Sequence, residues 1–132
     1  MRLLLDTHFI VWLTVSPGSL TSKELALLQR ADVDVAASAI SLWELRLKWN
    51  SRSASGNRKG PGEPEDMLAA LTAADIPVLS LSAEQACMAL AIPVPHKDPF
   101  DEQLLIQAQQ TGRQLLTRDR LILTHPLAIS AP

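Results

Sequence analysis

The chain has 132 residues, 47% of them hydrophobic, and its 14 Asp and Glu against 12 Lys and Arg give a formal net charge of -2. That length suits one domain whose core needs no disulfides, and the single Cys87 is expected to be small core filler. Slight acidity excludes a uniformly basic, DNA-coating protein, and no apolar run approaches the roughly 20 residues of a membrane span.

The chain opens on Arg2-Leu3-Leu4-Leu5-Asp6-Thr7-His8. Three leucines without polar alternation predict a strand buried on both faces, as in the centre of a parallel sheet. Met-Arg followed at once by this run leaves no room for a signal peptide, so a cytoplasmic location is expected. A short helix is predicted over Phe9–Leu13, broken by Ser16-Pro17-Gly18. Thr21 and Glu24 form a capping box for a second helix reaching about Arg30. Val33–Ala36 reads as the second strand, and Ser38 caps a helix to about Trp49. Residues 50–62, rich in Ser, Gly and basic residues, predict a flexible loop. A helix over Pro64–Ala73 follows, then a strand at Pro77–Leu79, then a helix capped by Ser82 and Gln85 and ending near Leu90. Pro93 and Pro95 force an extended connection. Asp98-Pro99 opens a helix to about Gln110 that Gly112 stops, and strands follow at Gln114–Leu116 and Leu127–Ile129. Strands separated by helices predict one α/β domain spanning residues 1–132. It is a three-layer sandwich around a central parallel sheet of about five short strands.

The acids carry the functional argument. Asp6 ends the first apolar strand, where ligands collect in open α/β sheets. Glu44 falls among Ile40, Trp43 and Leu47, a stripe expected to face inward. A carboxylate there needs compensation, from Ser41 in a capping box, from Lys48 at i+4, or from a ligand. Asp98 before Pro99 is a natural N-cap, whereas Asp101 shares the inward face of Leu104, Leu105 and Ala108. Asp119 closes the apolar run Leu115-Leu116-Thr117-Arg118 and would otherwise cap the next turn. Carboxylates gathered at one sheet edge repel one another unless a cation holds them. Oxygen ligands without cysteine suit Mg²⁺ or Mn²⁺ better than zinc.

LLLDTH at the start, SLWEL around Glu44, HKDPFDEQLLIQAQ around Asp101 and LLTRD at Asp119 together resemble a PIN domain, and within that family the VapC-type toxins of toxin–antitoxin pairs. The resemblance covers nearly the whole chain. It implies a metal-dependent endoribonuclease with Asp6, Glu44, Asp101 and Asp119 as catalytic and metal-ligating acids. Asp98 would be an additional ligand, with Thr7 and Thr117 supporting the acids. The run from Ser51 to Gly62 departs from the pattern by its length.

The implied chemistry is hydrolysis of RNA phosphodiester bonds by water, leaving 5′-phosphate and 3′-hydroxyl ends, with Glu44 or Asp101 orienting the water. Substrate grip would fall to basic residues including Arg46, Lys48, Arg52, Arg58, Lys59, Lys97, Arg118 and Arg120, with His8 and His96 beside the acids. Trp12, Trp43 and Trp49 read as core or interface. Two other classes compete. An Asp-based phosphotransfer protein wants a second acid near Asp6, where His8 stands. A catalytically silent binding module would not need four acids. The resemblance also implies an antitoxin partner and a homodimer. No lysine or arginine obviously neutralises the acids, so an arginine offered by the antitoxin is expected to enter the cluster. Phe9, Trp12 and the Trp43–Trp49 helix would give it an apolar groove.

Overall fold

The computed structural model describes residues 1–94 and 96–132; Pro95, expected to extend the connection with Pro93, lies outside the described residues. Among the described residues, five strands form one parallel sheet: β1 (Arg2–Leu5), β2 (Asp34–Ser38), β3 (Val78–Leu79), β4 (Gln114–Leu116) and β5 (Ala128–Ile129). The spatial order is β3-β2-β1-β4-β5. Leu4 pairs with Ala36 on one side and Leu115 on the other, so β1 is the central strand. The connection from β1 to β2 builds the sheet one way, and β4 and β5 build it the other way. The carboxyl end of β1 is therefore the switch point of the topology, the place where such sheets take ligands.

The three leucines of β1 face opposite layers, as strand geometry requires. Leu3 and Leu5 pack with Phe9 and Ile10 of α1 (Thr7–Thr14), Leu27 of α2 (Ser22–Leu28), and Met67 and Leu71 of α4 (Pro64–Ala73). Leu4 packs on the other face with Leu104, Leu105 and Ala108 of α6 (Pro99–Thr111). Helix α3 (Ala39–Asn50) contributes Leu45 to the first layer and Ile40 to the second, and so closes the sheet's carboxyl edge. The predicted α/β sandwich with a central parallel sheet is the fold observed.

Local signals explain most boundaries. The capping boxes at Thr21/Glu24 and Ser82/Gln85 are both formed. Ser38 accepts from the Ile40 amide at the start of α3. Gly112 ends α6 with φ +66°, a conformation that strains any residue bearing a Cβ.

Four expectations need correction. Helix α5 (Ala83–Cys87) stops before Leu90. Gln109 of α6 explains this: its amide bonds the Ala89 carbonyl and the Ala91 amide, which holds that segment outside the helix. Cys87 is exposed rather than core. On α3, Trp43 and Leu47 are 48% and 42% exposed, and the buried positions are Ile40, Ser41 and Leu45. Phe9 is fully buried and offers no surface to a partner. The 50–62 stretch contains a turn closed by an antiparallel bridge between Arg52 and Arg58. No helix among the described residues is long and apolar enough to cross a membrane.

Truncating the central strand tests this reading of the core. Leu4→Ala removes a side chain with no solvent exposure that joins β1 to α6. It should lower unfolding stability by about 2–5 kcal/mol, read from chemical denaturation.

Candidate acidic site at the sheet's carboxyl edge

Asp6 is the residue after β1, and its amide donates to the Leu116 carbonyl at the end of β4 (3.0 Å). That bond fixes the carboxylate between the two strand ends. Asp6 occupies the N-cap position of α1, yet its side chain makes no capping bond. The carboxylate, 6% exposed, instead accepts from the Thr117 hydroxyl at 2.6 Å. The same hydroxyl accepts from the Asp119 amide at 3.0 Å, so Thr117 ties the acids after β1 and β4 to one oxygen.

Thr7 plays the parallel part on the other side. Its hydroxyl donates to Glu44 Oε1 at 2.8 Å and lies 2.9 Å from the buried Ser41 hydroxyl. Ser41 and Glu44 are three apart on α3, which puts both on the side facing Thr7. Glu44 Oε2 stands 3.4 Å from Lys48 Nζ, so the cluster does contain a lysine, contrary to expectation. Of the alternatives for Glu44, the i+4 ion pair is formed; the cap of α3 is Ser38, not a box with Ser41.

Asp98 and Asp101 enter from α6. Asp98 Oδ1 accepts from the amides of Phe100 (2.9 Å) and Asp101 (3.3 Å), the N-cap its position before Pro99 predicts. Asp101 Oδ2 lies 3.2 Å from His96 Nε2. His96 Nδ1 accepts from the Asp98 amide at 3.0 Å, so the neutral ring carries its proton on Nε2 and donates to Asp101. Asp119 Oδ1 caps the turn that follows, accepting from the Leu121 and Ile122 amides.

Electrostatics show that these acids share one space. Asp101 is pushed up to about 7, first by burial and then by repulsion from Asp98, Asp6, Glu44 and Asp119. Asp6 is also raised above the ordinary carboxylate range by burial, against the lowering effects of the Thr117 bond and nearby His8. The other four acids named in the sequence are thus all within electrostatic reach of Asp101. As placed, no three acidic or histidine side chains among the described residues enclose a point closely enough to cage an ion. Each carboxylate turns at least one oxygen to a protein donor, which spreads the repelling charges apart.

The basic residues divide. Lys97 and Arg120 are exposed near the acids in sequence. His96 is engaged with Asp98 and Asp101, and His8 stacks on Trp12. Arg118 is committed elsewhere: it makes a bidentate pair with buried Glu24 (2.8 and 2.6 Å) and lies 3.8 Å over the Trp12 ring. Sequence reasoning gave Arg118 to substrate and Glu24 only to a cap. Glu24 does both jobs on its own side, one oxygen closing the box and both meeting Arg118. Ser41, considered as a capping-box partner for Glu44, instead meets the Thr7 hydroxyl.

The class this defines is an α/β protein with a carboxylate cluster at the switch point of a parallel sheet. The model of the PIN domain matches residues 3–123, and the chain belongs to the PIN domain family. In fold it is similar to a chain of VapBC2 from Rickettsia felis, solved bound to a DNA fragment from their promoter. That match has a TM-score of 0.60 at 17% identity and covers 98% of this chain and 97% of that one. It is similar also to a chain of VapBC-5 from Mycobacterium tuberculosis, a member of the VapBC family of toxin-antitoxin systems. There the TM-score is 0.52 at 17% identity, covering 98% of this chain and 96% of that one. No curated protein matches the chain by sequence.

Two outcomes test the site's electrostatics. Asp101 holds its proton more tightly folded than unfolded, so its contribution to stability is full below about pH 4 and is lost as pH rises through about 7. In chelator, unfolding stability should fall over that window by on the order of 2 kcal/mol, and Asp101→Asn should flatten the slope. Separately, Arg118→Ala leaves the Glu24 carboxylate buried without its partner and should cost about 1–3 kcal/mol in a thermal melt.

Proposed function

We propose that the chain is a Mg²⁺- or Mn²⁺-dependent endoribonuclease and the toxin of a toxin–antitoxin pair. The observation that carries this reading is the convergence on Asp101 of repulsion from four other carboxylates at the switch point of the sheet. A divalent cation among these carboxylates would relieve that repulsion.

The donor set fits a hard divalent cation. It is made of carboxylate oxygens, and no cysteine lies among them. Asp6, Glu44, Asp101 and Asp119 would hold the ion, with Asp98 as a further ligand. Asp101 would bind the ion as its carboxylate, so its raised pKa makes metal affinity rise with pH. A bound Mg²⁺ or Mn²⁺ supplies Lewis acidity, lowering the pKa of a water and offsetting charge on the phosphate.

The chain's own residues do the positioning. Thr117 holds the Asp6 carboxylate through Oδ2, and Thr7 holds Glu44 through Oε1. His96 Nε2 fixes the orientation of Asp101. Lys48, on the same face of α3 as Glu44, would be near enough to the acids to meet a phosphate oxygen. Glu44 and Asp101 are the candidates for orienting the attacking water.

The toxin role rests on the likeness to VapBC assemblies together with the family's fold. It makes an antitoxin the natural partner. The surface suited to a protein partner or a second copy is the α3–α4 face, where Trp43, Leu47 and Leu68 are exposed. An antitoxin arginine reaching the acids would meet Asp101 and Asp6, whose charge Lys48 does not offset.

Asp6→Asn separates activity from folding. Cleavage of RNA in Mg²⁺ should drop at least a thousandfold, and the metal-free variant should melt no lower than the wild type, because one repelling charge is gone. Wild-type cleavage by the Asn variant, or undiminished cleavage in excess chelator, would remove the acids from the mechanism.

A further inference from the structure

Resting on the ribonuclease reading, we propose that a single-stranded RNA track leaves the acids along α3 and ends on the basic turn after it. The nucleotide beside the scissile phosphate would sit in the cleft between α3 and the start of α6. The phosphates beyond it would be gripped by Arg52, Arg58 and Lys59.

Charge is the first support. Five of the twelve Lys and Arg fall between residues 46 and 59, and none of the fourteen Asp and Glu does. An acidic protein thus carries a compact basic segment. Arg46, Arg52, Arg58 and Lys59 are exposed, and among the described residues none of them pairs with an acid. Such a concentration favours a polyanion.

Continuity is the second. A cleft of about 560 Å³ is lined by Glu44 and Asp98 at the acids, by Leu47, Pro99 and Phe100 along its walls, and by Lys48 and Ser51. It therefore shares two carboxylates with the proposed site and reaches the residue where the basic turn begins. Glu44 and Ser51 lie about 10 Å apart along the helix axis. Apolar and aromatic walls suit a planar base, and cations at the far end suit its backbone.

The turn is also built to hold its shape. The Ser53 amide donates to the Asn57 carbonyl (2.7 Å), and the Lys59 amide to the Ser51 carbonyl (3.0 Å). Arg58 lies 4.5 Å over the Trp49 ring and donates to the Trp49 carbonyl at 2.8 Å. At Gly60 the backbone passes so close to α3 that a Cβ would stand 2.8 Å from the Trp49 nitrogen. The basic turn is thus seated on the helix that carries Glu44.

The test is fluorescence anisotropy with a short labelled single-stranded RNA in excess chelator, so that binding is read whether or not the protein cuts. The triple variant Arg52→Gln/Arg58→Gln/Lys59→Gln should bind at least tenfold more weakly. Its plot of log affinity against log salt should be shallower by about 2, given roughly 0.7 for each single-strand phosphate contact. Leu47→Ala should weaken binding without changing that slope. Lys23→Gln/Arg30→Gln, on α2 and just beyond it, should change neither quantity. Unchanged affinity and slope in the triple variant overturn the track, as does loss of binding to an acidic peptide with RNA binding retained. If RNA binds as described but wild-type protein in Mg²⁺ cuts nothing, the hydrolytic reading fails and the track stands.

Discussion

Repulsion among carboxylates is the constraint on which the rest of the carboxyl edge depends. Asp6, Glu44, Asp98, Asp101 and Asp119 come from four different segments, and the sheet topology leaves them nowhere else to go. β1 is buried on both faces, so the first polar side chain after it must emerge at its end. β4 is buried next to it and delivers Thr117 and Asp119 beside that point. The helices that cap this edge, α3 and α6, bring the remaining acids. Packing of leucines thus enforces a placement of charge that is unfavourable by itself.

Hydrogen bonding decides how that charge is tolerated. Thr7 and Thr117 each aim a hydroxyl at a carboxylate while staying fully or nearly fully buried, which a purely apolar β-branched residue could not do. Lys48 pairs with Glu44, and His96 lies against Asp101. Asp98 and Asp119 are anchored by backbone amides at the starts of a helix and a turn, where partial positive charge favours an anion. Asp101 is the acid pushed up furthest, to about 7, by burial and by the four neighbouring carboxylates.

Much of this was legible in the sequence because the signals were local. A leucine run ended by an acid fixed β1 and Asp6. Asp98-Pro99 fixed the start of α6, and Gly112 its end. α3 was harder. Its stripe of Ile40, Trp43 and Leu47 had helical spacing, but two of the three face outward. The helix closes an edge instead of lying flat on the sheet, so its buried side is set by Thr7 and by the two layers it joins. Spacing alone carries no information about that. Arg118 was misread for a related reason. Its partner Glu24 is distant in sequence and already had a complete explanation as part of a capping box.

The Arg118–Glu24 pair has a consequence for the site that neither residue reveals alone. Arg118 sits between Thr117 and Asp119, the two residues that connect β4 to the acids. Its guanidinium is gripped by Glu24, by the Ser19 carbonyl and by the face of Trp12. A side chain held at its tip restricts the backbone at its base. The segment that orients Asp6 through Thr117 is thereby tied to α2 and α1, on the opposite side of the sheet from α6. The acids of α6 and the acids of the strand ends thus rest on different layers. The packing of α6 on β1 and β4 brings them together. Packing of the two layers, and not bonds among the acids, therefore holds carboxylates that repel one another at one edge.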